Sequence, residues 1–402
     1  MSKPEKTIAI VTPNLFDAHG GVSTVAEFIY TAIAGAPGFE PHLISVATSV
    51  RDVSSVRMLS PRSWKGGVRM HKGTWHGKAF VHVGCWLSEF EFQRYMPRRA
   101  LTDLLNQYDL IQVVSGTPAT ANVTKHVNRP VCLFVATLAH LERRSMLRNA
   151  RVTRRTYARI MTPIVSRIEK HALSRVDHIF AETIYTKEAM LPFVDSSKIT
   201  IDTTGVDTQR FQPVREEQRA NDYILSVGRL ADARKNVGML FEAYARLRQR
   251  VPDAPQLVLA GKTAPPPAAW ARAKELGIAD HIEVKTGVSS EELVALYQHA
   301  AFFVLSSDEE GLGIVLLEAM ACATPVVSTR CGGPDSVVSE DVGLLTPVGD
   351  AEAMAEKMLW MLQNPEQRRQ MGQEGRRMVE TRFSNEVVGK KYLDVYNRLL
   401  GD

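Results

Sequence analysis

The most constraining feature of this sequence is a turn with two glycines that joins an apolar strand pattern to an apolar helix pattern. Residues 301–305 predict a buried strand, and residues 314–322 predict a helix. The turn between them carries Glu310, Gly311 and Gly313. A strand, a glycine turn and a helix N-terminus form an anion site, because the backbone N–H groups and the helix dipole point the same way. We therefore expect an anionic group of a ligand at this turn.

Two carboxylates lie on either side of the glycines. Glu310 precedes them, and Glu318 lies in an otherwise apolar helical segment, where a buried carboxylate needs hydrogen-bond partners. Eight residues of helix rise about 12 Å and return to nearly the same face, so the pair suits hydroxyls at the two ends of an elongated ligand. The alternatives are that Glu310 caps the helix and that Glu318 faces solvent. We favour hydroxyl recognition over acid and base roles, and a ligand with the shape of a nucleotide-sugar.

The composition is that of a globular protein. The chain has 402 residues, of which 45% are hydrophobic and 23% charged, and this length allows two domains. No apolar run reaches the roughly 20 residues that span a bilayer, and the N-terminus shows no signal-peptide pattern. The four cysteines are widely spaced and show no metal-binding spacing. We therefore expect a reduced, cytoplasmic protein without a metal site.

The positive charge is unevenly distributed. The net charge is +5, and from Arg143 to Arg175 there are ten Lys or Arg and one acid, Glu169. Three interpretations of this basic stretch stay open: a solvated helical surface, a peripheral contact with a membrane, and a site for an anionic acceptor. A nucleic-acid partner is not expected, because no recognition motif accompanies the charge.

Strand-like and helical segments alternate along the chain, which predicts doubly wound α/β domains. The predicted strands are 7–12, 42–46, 79–83, 110–114, 131–135, 177–181, 199–203, 221–227, 256–260, 282–286, 301–305 and 325–328. Residues 61–95, rich in aromatic residues and His, predict an irregular excursion or part of an acceptor cleft. The turn-rich segment 205–213 predicts a linker between an N-terminal domain, 1–208, and a C-terminal domain, 209–384.

Arg229 and Lys235 follow a predicted strand and lead into a helix whose N-cap is Asn236. We expect both cations at the same strand ends as the glycine turn. A guanidinium fork and an ammonium point charge suit a diphosphate, and they would neutralise the charge on a leaving nucleoside diphosphate without a metal.

The N-terminal half offers weaker candidates. Gly20 and Gly21 precede a helix and allow close approach of a ligand, but G-x-G-x-x-G is absent, so a dehydrogenase is not expected. Thr137 and His140 follow the predicted strand 131–135, at the end where open α/β sheets bind ligands. His140 is a candidate base, although a lone His in a helix is more often a structural or surface residue.

In this order, the motifs resemble the retaining glycosyltransferases of family 4. The resemblance covers almost the whole chain and is strongest in its second half. It rests on residues 226–230, 235–236, 259–261, 296–297, 310–313, 318–321, 324–327 and 332–333. It implies the GT-B fold, in which two Rossmann-like domains face a central cleft and the terminal helix, here 385–402, crosses back to the first domain.

The resemblance also implies an activity. It is metal-independent, front-face transfer of a sugar from a nucleoside diphosphate to a hydroxyl acceptor, with retention of the anomeric configuration, no cofactor, and UDP expected over GDP. The expected acceptor carries a hydroxyl group, and the basic stretch 143–175 leaves an anionic or lipid-linked acceptor open. The implied catalytic residues are Arg229, Lys235 and Glu310. The implied donor-binding residues are Gly20, Gly21, Gly228, Val288, Gly311, Leu312, Gly313, Ile314 and Glu318, with Glu318 on the ribose and Val288 near the base.

One position departs from the family pattern. Many relatives carry a His after the strand that here is 131–135, and the corresponding residue in this chain is Ala136. The departure concerns contacts with the donor sugar. Two alternatives therefore stay open: a nucleotide-sugar 2-epimerase of the same fold, and a non-catalytic relative that binds nucleotide-sugars.

Overall fold

The structure is a computed structural model that describes residues 5–13, 15, 21–146, 152–202, 204–220 and 222–401. The chain divides into two compact units. Unit 1 consists of Met1–Thr204 and Val388–Asp402, and unit 2 consists of Gly205–Val387. Each unit is a β-sheet with helices packed on both faces, as the alternation of strands and helices predicts.

The sheet of unit 1 has eight strands in the order β3-β4-β2-β1-β5-β6-β7-β8. The strands are β1 (Lys6–Pro13), β2 (Phe39–Val46), β3 (Met70–Trp75), β4 (Lys78–Val83), β5 (Leu110–Ser115), β6 (Val131–Val135), β7 (His178–Ala181) and β8 (Ile199–Ile201). The helices are α1 (Gly21–Ala34), α2 (Pro61–Trp64), α3 (Glu91–Arg94), α4 (Arg99–Leu105), α5 (Ala139–Met146), α6 (Val152–Leu173) and α7 (Ile184–Met190). All neighbouring strands are parallel except the β3–β4 pair.

The prediction of an irregular excursion at 61–95 is wrong in part. The strand predicted at 79–83 is β4, and the unpredicted strand β3 forms an antiparallel hairpin with it. His76 and Gly77 close the hairpin, and both have positive φ angles, as a two-residue turn between twisted strands requires. Only the last residue of β3, Trp75, is buried. The edge strand therefore lacks the apolar alternation by which a strand is predicted.

The sheet of unit 2 has six parallel strands in the order β11-β10-β9-β12-β13-β14. The strands are β9 (Tyr223–Val227), β10 (Gln256–Gly261), β11 (Ile282–Thr286), β12 (Ala300–Leu305), β13 (Val326–Thr329) and β14 (Gly343–Thr346). The helices are α8 (Val237–Arg250), α9 (Pro267–Glu275), α10 (Ser290–His299), α11 (Ile314–Ala321), α12 (Pro334–Val337), α13 (Ala351–Gln363), α14 (Pro365–Arg382) and α15 (Asn385–Leu400). The strands β9 to β13 lie where the apolar runs predict them, whereas the four-residue β14 has no such signal.

The last helix, α15, begins in unit 2 and packs from Val388 onward into the core of unit 1. Tyr392 stacks on Phe180 of β7, with ring centroids 3.9 Å apart. The Tyr396 hydroxyl donates a hydrogen bond of 2.8 Å to the buried side chain of Gln112 in β5. The face of the helix that carries Val388, Tyr392 and Tyr396 is therefore buried in unit 1.

Candidate functional site

The candidate site lies at the carboxyl edge of the sheet in unit 2. Because all six strands are parallel, the loops that follow them emerge at one edge, where open α/β sheets bind ligands. Gly228 follows β9, Val288 follows β11, and the glycine turn 310–313 follows β12. Gly332 follows β13 and forms an isolated bridge with Glu310. The sequence motifs of the second half thus meet along one edge.

The centre of this edge is an ion pair between Lys235 and Glu310. Both side chains are largely buried, with 14% and 13% of their surface exposed. Ser307 also donates a hydrogen bond of 2.6 Å to the same carboxylate oxygen of Glu310. The two residues that the resemblance assigns to the diphosphate and to the sugar therefore neutralise each other in this structure.

Hydrogen bonds join the loop after β9 to the loop after β12 and so position this ion pair. The Asp308 N–H donates to the Arg234 carbonyl at 2.7 Å, and the Ser306 hydroxyl donates to the Lys235 carbonyl at 2.8 Å. Asn236 accepts the Met239 N–H at 3.2 Å, which caps α8 as predicted, and donates to Asp308 at 2.7 Å. The backbone on both sides of Lys235 is therefore fixed.

Two glycines at this edge allow the loops to approach closely. A Cβ on Gly333 would lie 1.9 Å from the Gly311 carbonyl oxygen, and a Cβ on Gly261 would lie 2.3 Å from the Gly228 oxygen. Any larger residue at these two positions would collide with backbone. The glycines therefore bring the loops after neighbouring strands into direct contact around the ion pair.

Glu318 lies in the second turn of α11 and is half-buried. The Tyr297 hydroxyl donates a hydrogen bond of 2.8 Å to its carboxylate. Burial raises the pKa of Glu318 to about 7, although the Tyr297 hydrogen bond and the charge of Arg210 lower it. The helical spacing expected between Glu310 and Glu318 is wrong, because α11 begins only at Ile314. Glu318 therefore does not face solvent freely, and its partner Tyr297 is not among the predicted site residues.

Arg229 is placed differently from Lys235. Its side chain is 68% exposed, and its guanidinium lies 3.2 Å from the Asp232 carboxylate. Arg234 contacts the same carboxylate at 2.8 Å. Asp232 therefore holds two arginines beside the loop that carries Lys235, a role that the sequence did not single out.

The other predicted donor-binding positions surround the glycine turn. Gly313 is the N-cap residue of α11 and has a φ of 79°, which favours glycine. Leu312 is buried, whereas Val288 and Ile314 are half-buried against the same hydrophobic core. In unit 1, Gly21 is the first residue of α1. Gly20 lies outside the described residues.

The predicted acceptor-side residues lie after β6 in unit 1. Thr137 donates its backbone N–H to the Gly116 carbonyl at 2.9 Å, and Ala136 is half-buried. His140 is exposed on the first turn of α5. The buried carboxylate of Glu169 accepts the Ala139 N–H at 2.9 Å, and burial raises its pKa to about 7. Glu169 thus fixes the start of α5, and its isolation within the basic stretch was the only sequence signal for it.

The basic stretch 143–175 is only partly a solvated surface. Arg143 is largely buried in an ion pair with Glu91 of α3. Arg159, Arg167 and Lys170 are exposed on α6. Residues 147–151 and the side chains of Arg144 and Arg154 lie outside the described residues.

Among the described residues, no helix combines the length and the apolar character that a membrane span requires. In the same part of the chain, no group of three or more His, Cys, Asp or Glu side chains is arranged to hold a metal ion. All four cysteines are buried and unpaired by disulfides.

Comparison with known proteins identifies relatives of part of the chain. Residues 207–378 match the family model described as "Glycosyl transferases group 1". A region of 231 residues is 32% identical to MMP alpha-(1->4)-mannosyltransferase of Mycolicibacterium hassiacum. This region covers 57% of this chain and 54% of that protein. A region of 190 residues is 35% identical to GDP-mannose-dependent alpha-(1-6)-phosphatidylinositol monomannoside mannosyltransferase of Mycolicibacterium smegmatis. This region covers 43% of this chain and 49% of that protein. The chain therefore spans about half the length of the curated relatives that it matches.

Solved structures match the fold of nearly the whole chain. Sucrose-phosphate synthase from Thermosynechococcus elongatus has a TM-score of 0.70 at 22% identity, covering 98% of this chain and 99% of that one. Anabaena Alr3699/HepE in complex with UDP has a TM-score of 0.71 at 12% identity, covering 98% of this chain and 100% of that one. These proteins have the GT-B fold, and at this level of identity the likeness concerns the fold alone.

We predict that Glu318→Gln flattens the pH dependence of stability. Because burial raises the Glu318 pKa to about 7 from 4.5, the native state keeps a proton that the unfolded chain has lost. This contribution is present below about pH 4.5 and is lost as the pH rises through about 7. The wild-type free energy of unfolding should therefore fall by roughly 1–3 kcal/mol more than that of the variant across this window. Urea titrations at several pH values, with hydrogen exchange of α11 as the readout, measure this change in the free energy of unfolding.

The matched control is Glu356→Gln, because Glu356 is exposed on α13. This variant should keep the wild-type pH dependence. If the free energy of unfolding depends on pH equally in the wild type and in Glu318→Gln, the assignment of a raised pKa to Glu318 is contradicted.

Proposed function

We propose that this protein is a hexosyltransferase, because residues 207–378 match the family model of glycosyl transferases group 1 and the chain has the GT-B fold. It moves a sugar from a nucleoside-diphosphate sugar to a hydroxyl acceptor and retains the anomeric configuration. The observation that carries the proposal is the Lys235–Glu310 ion pair beside the glycine turn, within the region that matches the family.

The ion pair suggests how the donor binds. A diphosphate carries more negative charge than one carboxylate, so it competes with Glu310 for the Lys235 ammonium. Displaced from Lys235, Glu310 becomes available to accept hydrogen bonds from sugar hydroxyls. The site therefore exchanges one partner of Lys235 for another, and no charge is left buried without a partner in either state.

The same groups would assist the chemical step. Negative charge grows on the diphosphate as the bond to the sugar breaks, and the positioned ammonium of Lys235 stabilises it. Arg229 is exposed at the same edge and would supply a second cation to the outer phosphate. With these two cations, the leaving group needs no metal, and a phosphate oxygen takes the acceptor proton in the front-face mechanism.

The proposed nucleotide of the donor is UDP rather than GDP. We propose that its base lies beside Val288 and that its ribose hydroxyls bind Glu318. The relative from Mycolicibacterium smegmatis is named as GDP-mannose-dependent, so GDP-sugars belong in the same test. The buried cysteines, none of which forms a disulfide, support a cytoplasmic location.

Product analysis with a panel of UDP- and GDP-sugars tests the reaction class. In the presence of EDTA, we expect nucleoside diphosphate release that depends on an added hydroxyl acceptor, and NMR of the product should show a retained anomeric configuration. Conversion of the donor sugar without acceptor would point instead to an epimerase. Tight binding of a nucleotide-sugar without any turnover would point to a non-catalytic relative.

Two substitutions separate the roles of the ion-paired residues. Lys235→Ala should lower transfer by roughly 100-fold or more, because it removes one positioned electrostatic donor, and should also weaken binding of the free nucleoside diphosphate. Glu310→Gln should lower transfer but leave that binding unchanged or tighter, since the competing carboxylate is gone. Steady-state kinetics and calorimetry measure the two effects. Lys274→Ala, an exposed lysine of α9, is the matched control. If Lys235→Ala and Glu310→Gln weaken nucleotide binding equally, the proposal that the diphosphate replaces Glu310 as the partner of Lys235 is refuted.

A further inference from the structure

Unit 1 carries an exposed surface of large apolar side chains that the proposed reaction does not use. Its members are contributed by the loop 57–64, by the segment 86–91 and by α6. They are Met58, Leu59, Phe90, Tyr157, Ile160 and Ile164, all of which are exposed. We call this set the apolar surface.

The first part of the apolar surface is the tip of an ordered loop. Leu59 is 84% exposed. The Ser63 hydroxyl accepts the Arg57 N–H at 2.9 Å, and the Trp64 ring N–H donates to the Arg57 carbonyl at 2.7 Å. The backbone N–H groups of Met58 and Leu59 lie near the Glu89 carboxylate and lower its pKa. The loop is thus closed on itself and tied to the next segment, with an aliphatic side chain at its outermost point.

The same segment joins the loop to α6. Phe90 follows Glu89 directly and precedes α3, whose first residue is Glu91. The Tyr157 hydroxyl of α6 donates a hydrogen bond of 3.3 Å to the Glu91 carboxylate. The loop tip, Phe90 and the outer side of α6 are therefore neighbours.

The helix α6 has an apolar stripe on its outer side. Tyr157, Ile160 and Ile164 follow the spacing of one helix face, and Ile160 is 58% exposed. The inward face is formed by other residues, including Val165 and Ala172, which are buried. The helix thus has two apolar faces, of which one packs on the described residues of unit 1 and the other is exposed among them.

Cations lie beside both parts of the apolar surface. Arg159 and Arg167 are exposed on α6, and Arg62 and Lys65 are exposed just after the loop tip. Residues 51–73 contain six Lys or Arg and one acid, Asp52. Exposed aliphatic and aromatic side chains among clustered cations are the combination by which a protein surface binds anionic lipid.

This surface lies at the carboxyl edge of the sheet in unit 1. The loop 57–64 follows β2, the segment 86–91 follows β4, and α6 follows β6. The strands β2 and β4 pair in parallel, and the parallel ladder continues through β1 and β5 to β6. All three parts therefore emerge at the edge where an open α/β sheet binds its ligand.

We propose that the apolar surface docks unit 1 on an anionic lipid bilayer. Leu59 and Ile160 insert between the headgroups, and Arg62, Lys65 and Arg159 contact lipid phosphates. Docking needs neither donor nor transfer and is therefore independent of the proposed reaction. One extension rests on the proposed function: the acceptor would be a hydroxyl-bearing amphiphile that is held in the same bilayer.

Vesicle co-sedimentation of the full chain, without donor or acceptor, tests the docking. The protein should bind phosphatidylcholine vesicles that contain phosphatidylglycerol and should not bind phosphatidylcholine alone. Binding should fall steeply from about 0.1 M to about 1 M salt, as the screening length shortens from about 10 Å to about 3 Å. The double variant Leu59→Ser/Ile160→Ser should weaken binding by roughly tenfold or more. The double variant Arg62→Gln/Lys65→Gln should weaken it by roughly fivefold per charge.

Matched controls come from unit 2. Val348 is 42% exposed and Arg377 is exposed on α14, so Val348→Ser and Arg377→Gln should leave vesicle binding unchanged. Equal binding to neutral and anionic vesicles would overturn the proposal, as would binding by the two surface double variants that equals binding by the wild type. A self-association that Leu59→Ser/Ile160→Ser abolishes, without vesicle binding, would assign the surface to a second copy of the chain and so also overturn it.

Discussion

The Lys235–Glu310 ion pair is the interaction on which the arrangement of the candidate site depends. It joins the loop after β9 to the loop after β12, two neighbouring strands of the sheet. Both charges are largely buried, and breaking such a pair without a replacement partner leaves an uncompensated charge, which costs several kcal/mol. A ligand that enters this site must therefore offer an anion to Lys235 and hydroxyl donors to Glu310. A nucleoside-diphosphate sugar has both groups.

The fold was predictable where burial leaves a clear sequence pattern. The strands of both sheets that are buried on two faces read as apolar runs, and β12 is an example in which every residue is buried. The failures have a common cause. In β3 only Trp75 is buried, and in β14 only the two end residues, Gly343 and Thr346, are buried, so neither carries the pattern by which a strand is predicted. Edge strands are held by backbone pairing, which a sequence pattern does not report.

The sequence predicts the edge of the sheet at which the site residues lie, but it does not predict most of their side-chain partners. Glycines, cations and carboxylates at strand ends suggest one edge, and Lys235 and Glu310 indeed meet there. The partner of Glu318 is Tyr297, 21 residues away on another helix, and the exposed guanidinium of Arg229 is directed to Asp232. Such contacts depend on how helices pack and on rotamers, and neither follows from residue spacing. The buried Glu169 is similar: the sequence marks it as an isolated acid, and only the fold places it against the start of α5.

A structure of the full chain with a bound nucleoside diphosphate tests the central claim most directly. The account predicts that the Lys235 ammonium lies within hydrogen-bond distance of a phosphate oxygen and that the Glu310 carboxylate has separated from it. It also predicts that the ribose hydroxyls lie on Glu318 in unit 2. A diphosphate bound elsewhere, with the Lys235–Glu310 ion pair intact, would contradict the account.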